Sequence, residues 1–284
     1  MIELRKKYNL LANSFSAGVF KQLQCAGYSS ILANLIREAE LEPDYLEHAS
    51  LQDFFEDTFK GLKKYYRNEY VYKNFLINKV LLGKHSLNTS AMLTELRVGS
   101  SKADVMFING STHIYEIKTE YDSFGKLQKQ VNDYIKLAEY VSIFTSECLV
   151  DRVRDLIPEN IGIITLTKRG TLRTVTKPKS NFDKIDKETL FDTLRKDEFL
   201  SVLKELHGEV PEYPSALLRR ECKKLFMKFS KETLHKELLH IMKERASKIQ
   251  GQISSAPYSL KSIALSGKYL THDQILAFKL NKFI

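Results

Sequence analysis

The hydrophobic period of this chain changes twice. Over residues 1–64 apolar positions return every three to four residues, as in LQDFFEDTFKGLKKYY, where Leu51, Phe54, Phe55, Thr58, Phe59 and Leu62 share one side of a helix. Breaks fall at Gly27-Tyr28-Ser29 and at Glu42-Pro43-Asp44. YRNEYVYKNFLINKVLLG predicts a further helix ending at Gly83, since glycine commonly follows the last turn. The period then shortens. AMLTELRV, KADVMFI and THIYEIKTE are strand-like runs separated by Gly99-Ser100-Ser101 and Asn109-Gly110-Ser111. A helix is predicted from Phe124 to Glu139, with Phe124, Leu127, Val131, Tyr134 and Ala138 along one face. YVSIFT reads as a fourth strand and CLVDRVRDLI as a short helix. IGIITLT and LRTVTK read as two more strands, joined at Arg169-Gly170. From about Asp183 the helical period returns, and the tail after SSAPYS fits neither pattern.

The first three strands are joined too closely for crossovers, so they should pair antiparallel. The helix between the third and fourth admits a parallel pairing. The expectation is an α/β fold with a mixed sheet: a helical N-terminal region (1–64), a core (65–180) and a helical C-terminal region (181–284). At 284 residues, 43% hydrophobic and 28% charged, the chain has material for a sizeable core.

Composition removes several function classes. No stretch of about 18 residues lacks charge, and MIELRKKYNLLANSF has no apolar centre like that of a signal peptide. Cys25, Cys148 and Cys222 stand far apart, which argues against a disulfide framework or a thiolate zinc site and for buried free thiols in a reducing cytoplasm. His85, His113, His207, His235 and His240 show no ligand spacing, and there is no phosphate-binding glycine loop. A formal charge of +9 favours a polyanionic partner, nucleic acid in particular, and no membrane.

The hairpin KADVMFINGSTHIYEIKTE places charge inside apolar strands. Alternation sends Glu116 and Lys118 to one face, with Tyr115 and Ile117 on the other. If Asn109-Gly110-Ser111 forms a three-residue loop, Ile108 faces Thr112 and Asp104 faces Glu116; a two-residue turn would separate the carboxylates. Two facing acids repel unless a cation lies between them, and Mg²⁺ prefers such oxygen ligands. Taken alone, Glu-x-Lys in a strand is usually a solvated ion pair.

The surrounding arrangement resembles the PD-(D/E)XK nuclease superfamily, which includes restriction endonucleases, archaeal Holliday junction resolvases and RecB-type domains. The resemblance covers roughly Tyr66 to Thr145, and more narrowly the stretch looks like a bacterial branch sharing Ala-Asp, Asn-Gly, Tyr-Glu-Ile-Lys and Asp-Ser in this order; Ala103 stands where the motif name has Pro. It implies a core of helix, three strands, helix and strand. It also implies Asp104 and Glu116 as metal ligands and Lys118 as the catalytic lysine. Gln130 and Tyr134 match the RecB-like Gln-x-x-x-Tyr helix and would shape the site; the alternative makes Tyr134 core packing and Gln130 a boundary amide, and for Gln130 the two readings weigh equally. Glu69, which prolongs the stripe of Tyr72, Leu76 and Val80, would be the further acid and ligand, with Glu95 the alternative. Asp122 is expected to cap the following helix, and Lys126 and Lys129 either contact phosphate or form a solvated face.

The resemblance therefore implies a divalent-metal-dependent (endo)deoxyribonuclease using Mg²⁺, with Mn²⁺ able to substitute, serving phage defence or DNA processing. Alternatives are a catalytically silent nucleic-acid- or protein-binding module on the same fold, or an RNA-directed nuclease. The sequence leaves open a homodimer and the role of the two flanking helical regions.

Overall fold

The computed structural model describes residues 2–84, 89–209, 212–251, 253–267, 275 and 278–283; His85 lies outside them. Helices α1 (Ile2–Ala12), α2 (Ala17–Ala26), α3 (Ser30–Glu38), α4 (Pro43–His48) and α5 (Leu51–Tyr65) come first. Ser50 and Asp53 start α5 reciprocally: Asp53 N donates to Ser50 Oγ at 3.1 Å, and Ser50 N donates to Asp53 Oδ2 at 2.9 Å. Asn68 then starts α6 (Glu69–Leu76), its Oδ1 accepting from Val71 N at 3.3 Å.

Here the structure departs from the single helix expected up to Gly83. A π-helical turn occupies Ile77–Leu81, and Gly83 lies inside the short α7 (Leu82–Lys84). Asn78 Nδ2 donates to the carbonyl of Asn74 at 2.9 Å, competing for an acceptor that the regular ladder would use.

The strands are β1 (Ala91–Val98), β2 (Ser101–Ile108) and β3 (Thr112–Lys118), then, after α8 (Leu127–Tyr134), β4 (Tyr140–Ser146). After α9 (Val150–Arg154) come β5 (Gly162–Leu166) and β6 (Leu172–Thr176). They form one six-stranded sheet in chain order, with β1–β2–β3 antiparallel, β3–β4–β5 parallel and β5–β6 antiparallel. Parallel neighbours occur where α8 and α9 supply crossovers. Helices α10 (Lys187–Thr193), α11 (Lys196–His207), α12 (Ser215–Phe226), α13 (Lys231–Gln250) and α14 (Lys261–Leu265) complete the chain.

Both faces of the sheet are covered. Val105, Phe107, Tyr115, Ile117 and Phe144 pack against the N-terminal helices, α6 and the described residues from Ile253 onward. Met106, Ile108, Ile114 and Ile143 pack against α8 and α10–α13. The two chain ends meet on the first face, where Leu51 N donates to Phe278 O and Leu280 N to Ala49 O.

Three further expectations need correction. The helix expected over Phe124–Glu139 is only Leu127–Tyr134, because Leu137 N turns back to Tyr134 O. Asp122 does not cap it: its Oδ2 accepts from Thr119 N and Thr119 Oγ1, both at 2.7 Å, and fastens the turn after β3. Of the three free thiols only Cys222 is buried; Cys25 and Cys148 are exposed. Among the described residues no helix is long and apolar enough to cross a membrane.

Candidate active site at a strand fork

The β2–β3 ladder pairs Ile108 with Thr112 and ends at Val105 with Tyr115, so the next opposed positions are Asp104 and Glu116. This is the register the three-residue loop demands, and Gly110, at φ +70°, supplies its left-handed residue. Beyond Val105 the strands part, and the Asp104 carboxylate enters the fork, where Oδ2 accepts from Ile117 N at 2.7 Å.

The other side of Asp104 is also irregular. In the β1–β2 ladder, Thr94–Val105 and Leu96–Ala103 pair around an unpaired Glu95 and Asp104. Glu95 has φ +59°, a left-handed conformation costing a non-glycine residue roughly 1–2 kcal/mol. The kink changes which residues face the core. Leu93, Leu96 and Val98 all pack on the α8 side, an odd-to-even switch that regular alternation forbids. Glu95 is thereby released toward α6.

Glu69 at the start of α6, Glu95 in β1 and Asp104 in β2 each bring a carboxylate oxygen within 4.8 Å of the others. Lys73, one turn after Glu69, extends its ammonium into this group. Its Nζ lies 2.5 Å from Glu69 Oε1 and also donates to Glu95 Oε1, while Lys102 donates to Glu95 Oε2 from the solvent side. A cavity of about 540 Å³ opens onto Asn68, Glu69, Lys73, Glu95 and Lys102. A neighbouring one of about 410 Å³ shares Thr94, Glu95 and Ser266 and adds Arg97 and Arg195.

Glu116 lies deeper, 1% exposed, with both oxygens engaged. Oε1 accepts from Lys118 Nζ at 2.8 Å and from Gln130 Nε2 at 2.5 Å. Tyr134 Oη donates to Oε2 at 2.8 Å and lies 2.9 Å from the carbonyl of Lys102. Thr145 Oγ1 donates to the Lys118 carbonyl at 2.6 Å, fixing the end of β3. The amide oxygen of Gln130 is buried and has no partner among the described residues.

Burial, with the charges of Glu116 and Glu69, pushes the Asp104 carboxyl well above its ordinary range, against the pull of Lys73 and the Ile117 N–H. Burial also raises Glu116, although Lys118, Tyr134 and Gln130 oppose it. For Lys73 burial acts downward, but Glu69, Asp104 and the bond to Glu95 outweigh it and hold the ammonium above its ordinary value. Glu95 is lowered: burial acts upward, and the bonds from Lys102 and Lys73 prevail. Excess negative charge at a partly closed cleft is the condition a bound cation relieves. A set of hard oxygen donors suits Mg²⁺ or Mn²⁺ and is a poor match for a soft metal.

Of the expected site residues, Asp104 and Glu69 come together and Glu95, the alternative to Glu69, joins them both. Glu116 stands outside this trio, tied to Lys118, Gln130 and Tyr134. Gln130 and Tyr134 act on Glu116 from one helical face. Lys126 and Lys129 are exposed at the start of α8. Sequence reasoning missed Lys73, although a glutamate four residues before a lysine is a readable signal on a helix. His113 and His235 serve packing: His113 Nε2 pairs with Ser142 Oγ at 2.9 Å and His235 Nε2 with Thr112 Oγ1 at 3.2 Å.

No curated protein matches the chain. Among solved structures it is similar to the SPO1766 protein of unknown function from Silicibacter pomeroyi, at 14% identity and a TM-score of 0.27, over 33% of this chain and 62% of that one. The chain thus spans less than two thirds of that protein, and a likeness this slight carries no weight for fold or function. The family described as Bacteriophage P4 protein cII matches residues 62–262, from the last turn of α5 to the start of α14 and across every residue of the site, and the chain belongs to that family.

Proposed function

We propose that the protein is a divalent-metal-dependent nuclease hydrolysing phosphodiester bonds, with DNA as substrate. The observation that supports this most is the convergence of Glu69, Glu95 and Asp104 at a strand fork that continues into Glu116 and Lys118. Glu69, Glu95 and Asp104 would hold the ion, and Glu116 would join when its oxygens exchange their present partners. A bound dication would polarise a phosphate oxygen and lower the pKa of an attacking water. Lys118, held 2.8 Å from Glu116 Oε1, would orient that water and offset charge developing on phosphorus. Gln130 and Tyr134 keep Glu116 in position. The cavities along the edge strand β1 would admit substrate, and the net charge of +9 suits a phosphate backbone. The likeness of the hairpin and α8 to the PD-(D/E)XK pattern supports the same chemistry, and a role in phage defence or DNA processing rests on that likeness alone.

One observation favours a second reading, a nucleic-acid-binding module that does not cleave: every oxygen of Glu116 is already bonded within the protein. Incubating purified protein with supercoiled plasmid and Mg²⁺ separates the two. Nicking that EDTA stops, that Mn²⁺ sustains and that Lys118→Ala abolishes supports the nuclease. Plasmid retention without cleavage, identical in wild type and Lys118→Ala, overturns it. A parallel tRNA substrate detects an RNA-directed enzyme.

A further inference from the structure

We propose that Lys73 is the built-in counter-ion of the acidic trio: its ammonium holds Glu69, Glu95 and Asp104 together in the metal-free protein and competes with the dication for the same oxygens. This rests on the metal-dependent reading above.

The geometry carries it in three steps. Lys73 follows Glu69 by one helical turn, so α6 projects both side chains toward the same spot. The Asn68 cap and the packing of Val71, Tyr72 and Phe75 beneath fix where that spot lies. Second, Lys73 is 8% exposed. Its Nζ contacts Glu69 and Glu95, and it attracts Asp104, so one ammonium addresses acids from α6, β1 and β2. Lys102 pairs with the outer oxygen of Glu95 and keeps a side chain 60% exposed, so water screens it. Third, oxygens that lie within 4.8 Å of one another and grip an ammonium are also spaced for an oxygen-seeking dication, with bonds of about 2.1–2.4 Å. Both cations cannot sit among them at once without strong repulsion in a half-buried place.

The arrangement has a functional consequence. Without Lys73 three converging carboxylates would splay apart, and the site would have to be assembled by the metal. With it the site is preformed, at the cost of weaker metal affinity. The displaced ammonium moves into the cavity that Glu69, Lys73 and Glu95 line, where a substrate phosphate offers it a new anionic partner. Metal and substrate then bind with positive coupling, each favoured by the other. Lys73 is in this sense a positioning residue.

Calorimetric titration of the metal-free full chain with Mn²⁺ tests this without any assay of cleavage. Lys73→Met should bind Mn²⁺ about tenfold or more tighter than wild type, because a like charge has left the site. Its metal-free form should melt lower, and saturating Mn²⁺ should raise its Tm by more than it raises that of wild type. Lys102→Met should shift the affinity by less than about threefold, as a screened surface charge would. Lys73→Gln, which keeps a hydrogen-bond donor, serves as the second variant should the methionine fold poorly, and the same tightening is expected. Equal or weaker Mn²⁺ binding by both Lys73 variants, with wild type binding normally, overturns the role of Lys73 and leaves the metal site standing. Absence of Mn²⁺ binding by wild type and variants alike overturns the metal-dependent reading and this inference with it.

Discussion

The carboxylate of Asp104 accepts the backbone N–H of Ile117 at 2.7 Å, so the acid at the end of the β2–β3 ladder is fastened to the strand it parts from. Burial and two neighbouring glutamates raise its pKa well above the usual range. A carboxyl raised in the folded state loses stability as pH climbs from its unfolded value through its folded one. Asp104→Asn keeps an acceptor for Ile117 and removes the charge. The metal-free variant should therefore be about 1–2 kcal/mol more stable than wild type at pH 8, a gap that narrows toward pH 4, while cleavage is lost. Urea unfolding across that range measures it; a variant less stable than wild type at pH 8 would refute the charge-repulsion account.

Tyr134 reaches Glu116 and not the cavity, so its effect on catalysis should be indirect. Tyr134→Phe removes the donor to Glu116 Oε2 and the contact with the Lys102 carbonyl. Loss of a charge-assisted bond to a buried acceptor costs about 1–3 kcal/mol. Steady-state kinetics on an oligonucleotide should show kcat falling with KM unchanged. A change confined to KM would place Tyr134 on the substrate instead.

How much of this the sequence reveals depends on the range of the force involved. The Asn109-Gly110-Ser111 loop sets the register locally, because one residue more or less would turn Asp104 away from Glu116. The turn from Gln130 to Tyr134 likewise follows from helical geometry. Glu95 is different. Its left-handed φ of +59° reverses the alternation of β1 partway along, and no period-two pattern announces such a kink. Read locally, Glu69 and Glu95 compete for one role; the kink lets both converge on Asp104. The packing of Leu260, Ala264, Leu280 and Phe283 against the N-terminal helices is equally hidden, since bonds such as Ser259 Oγ to Glu56 Oε1 span most of the chain and belong to no local pattern.

His113 gives the fold an acid-sensitive point away from the trio. Burial lowers its pKa from 6.5 to about 3, and the neutral ring stacks on Tyr115 while Nε2 meets Ser142 Oγ. In the unfolded chain the same ring takes a proton near the ordinary value. As pH falls from about 6.5 toward 3 the unfolded state is favoured, and stability drops by at most about 1.4 kcal/mol per pH unit. His235, lowered by its own burial, adds in the same direction. His113→Gln should flatten the stability–pH slope between pH 6 and pH 4 without abolishing it. A slope identical to wild type would mean that His113 is not held neutral.

Gly162 opens β5 opposite Ser142, the partner of that histidine, and its role is packing rather than backbone freedom. A Cβ there would come 2.3 Å from Ser142 Oγ, 2.8 Å from Pro178 Cδ and 3.1 Å from Pro178 N. The serine can rotate away only by leaving His113, and the proline ring is fixed to its own backbone. Gly162→Ala should therefore cost about 1–3 kcal/mol, the usual penalty of overpacking. Gly110→Ala offers the contrast, because a Cβ at Gly110 meets nothing within 4 Å and only its φ of +70° resists, at roughly 1–2 kcal/mol. The two are told apart by a second substitution. Ser142→Ala removes the nearest clash at Gly162 and should restore part of the loss there, the remainder belonging to Pro178, and it should leave the Gly110→Ala penalty unchanged. Denaturant midpoints of the single and double variants read this out; full additivity at Gly162 would show that Ser142 is not what the added methyl strikes.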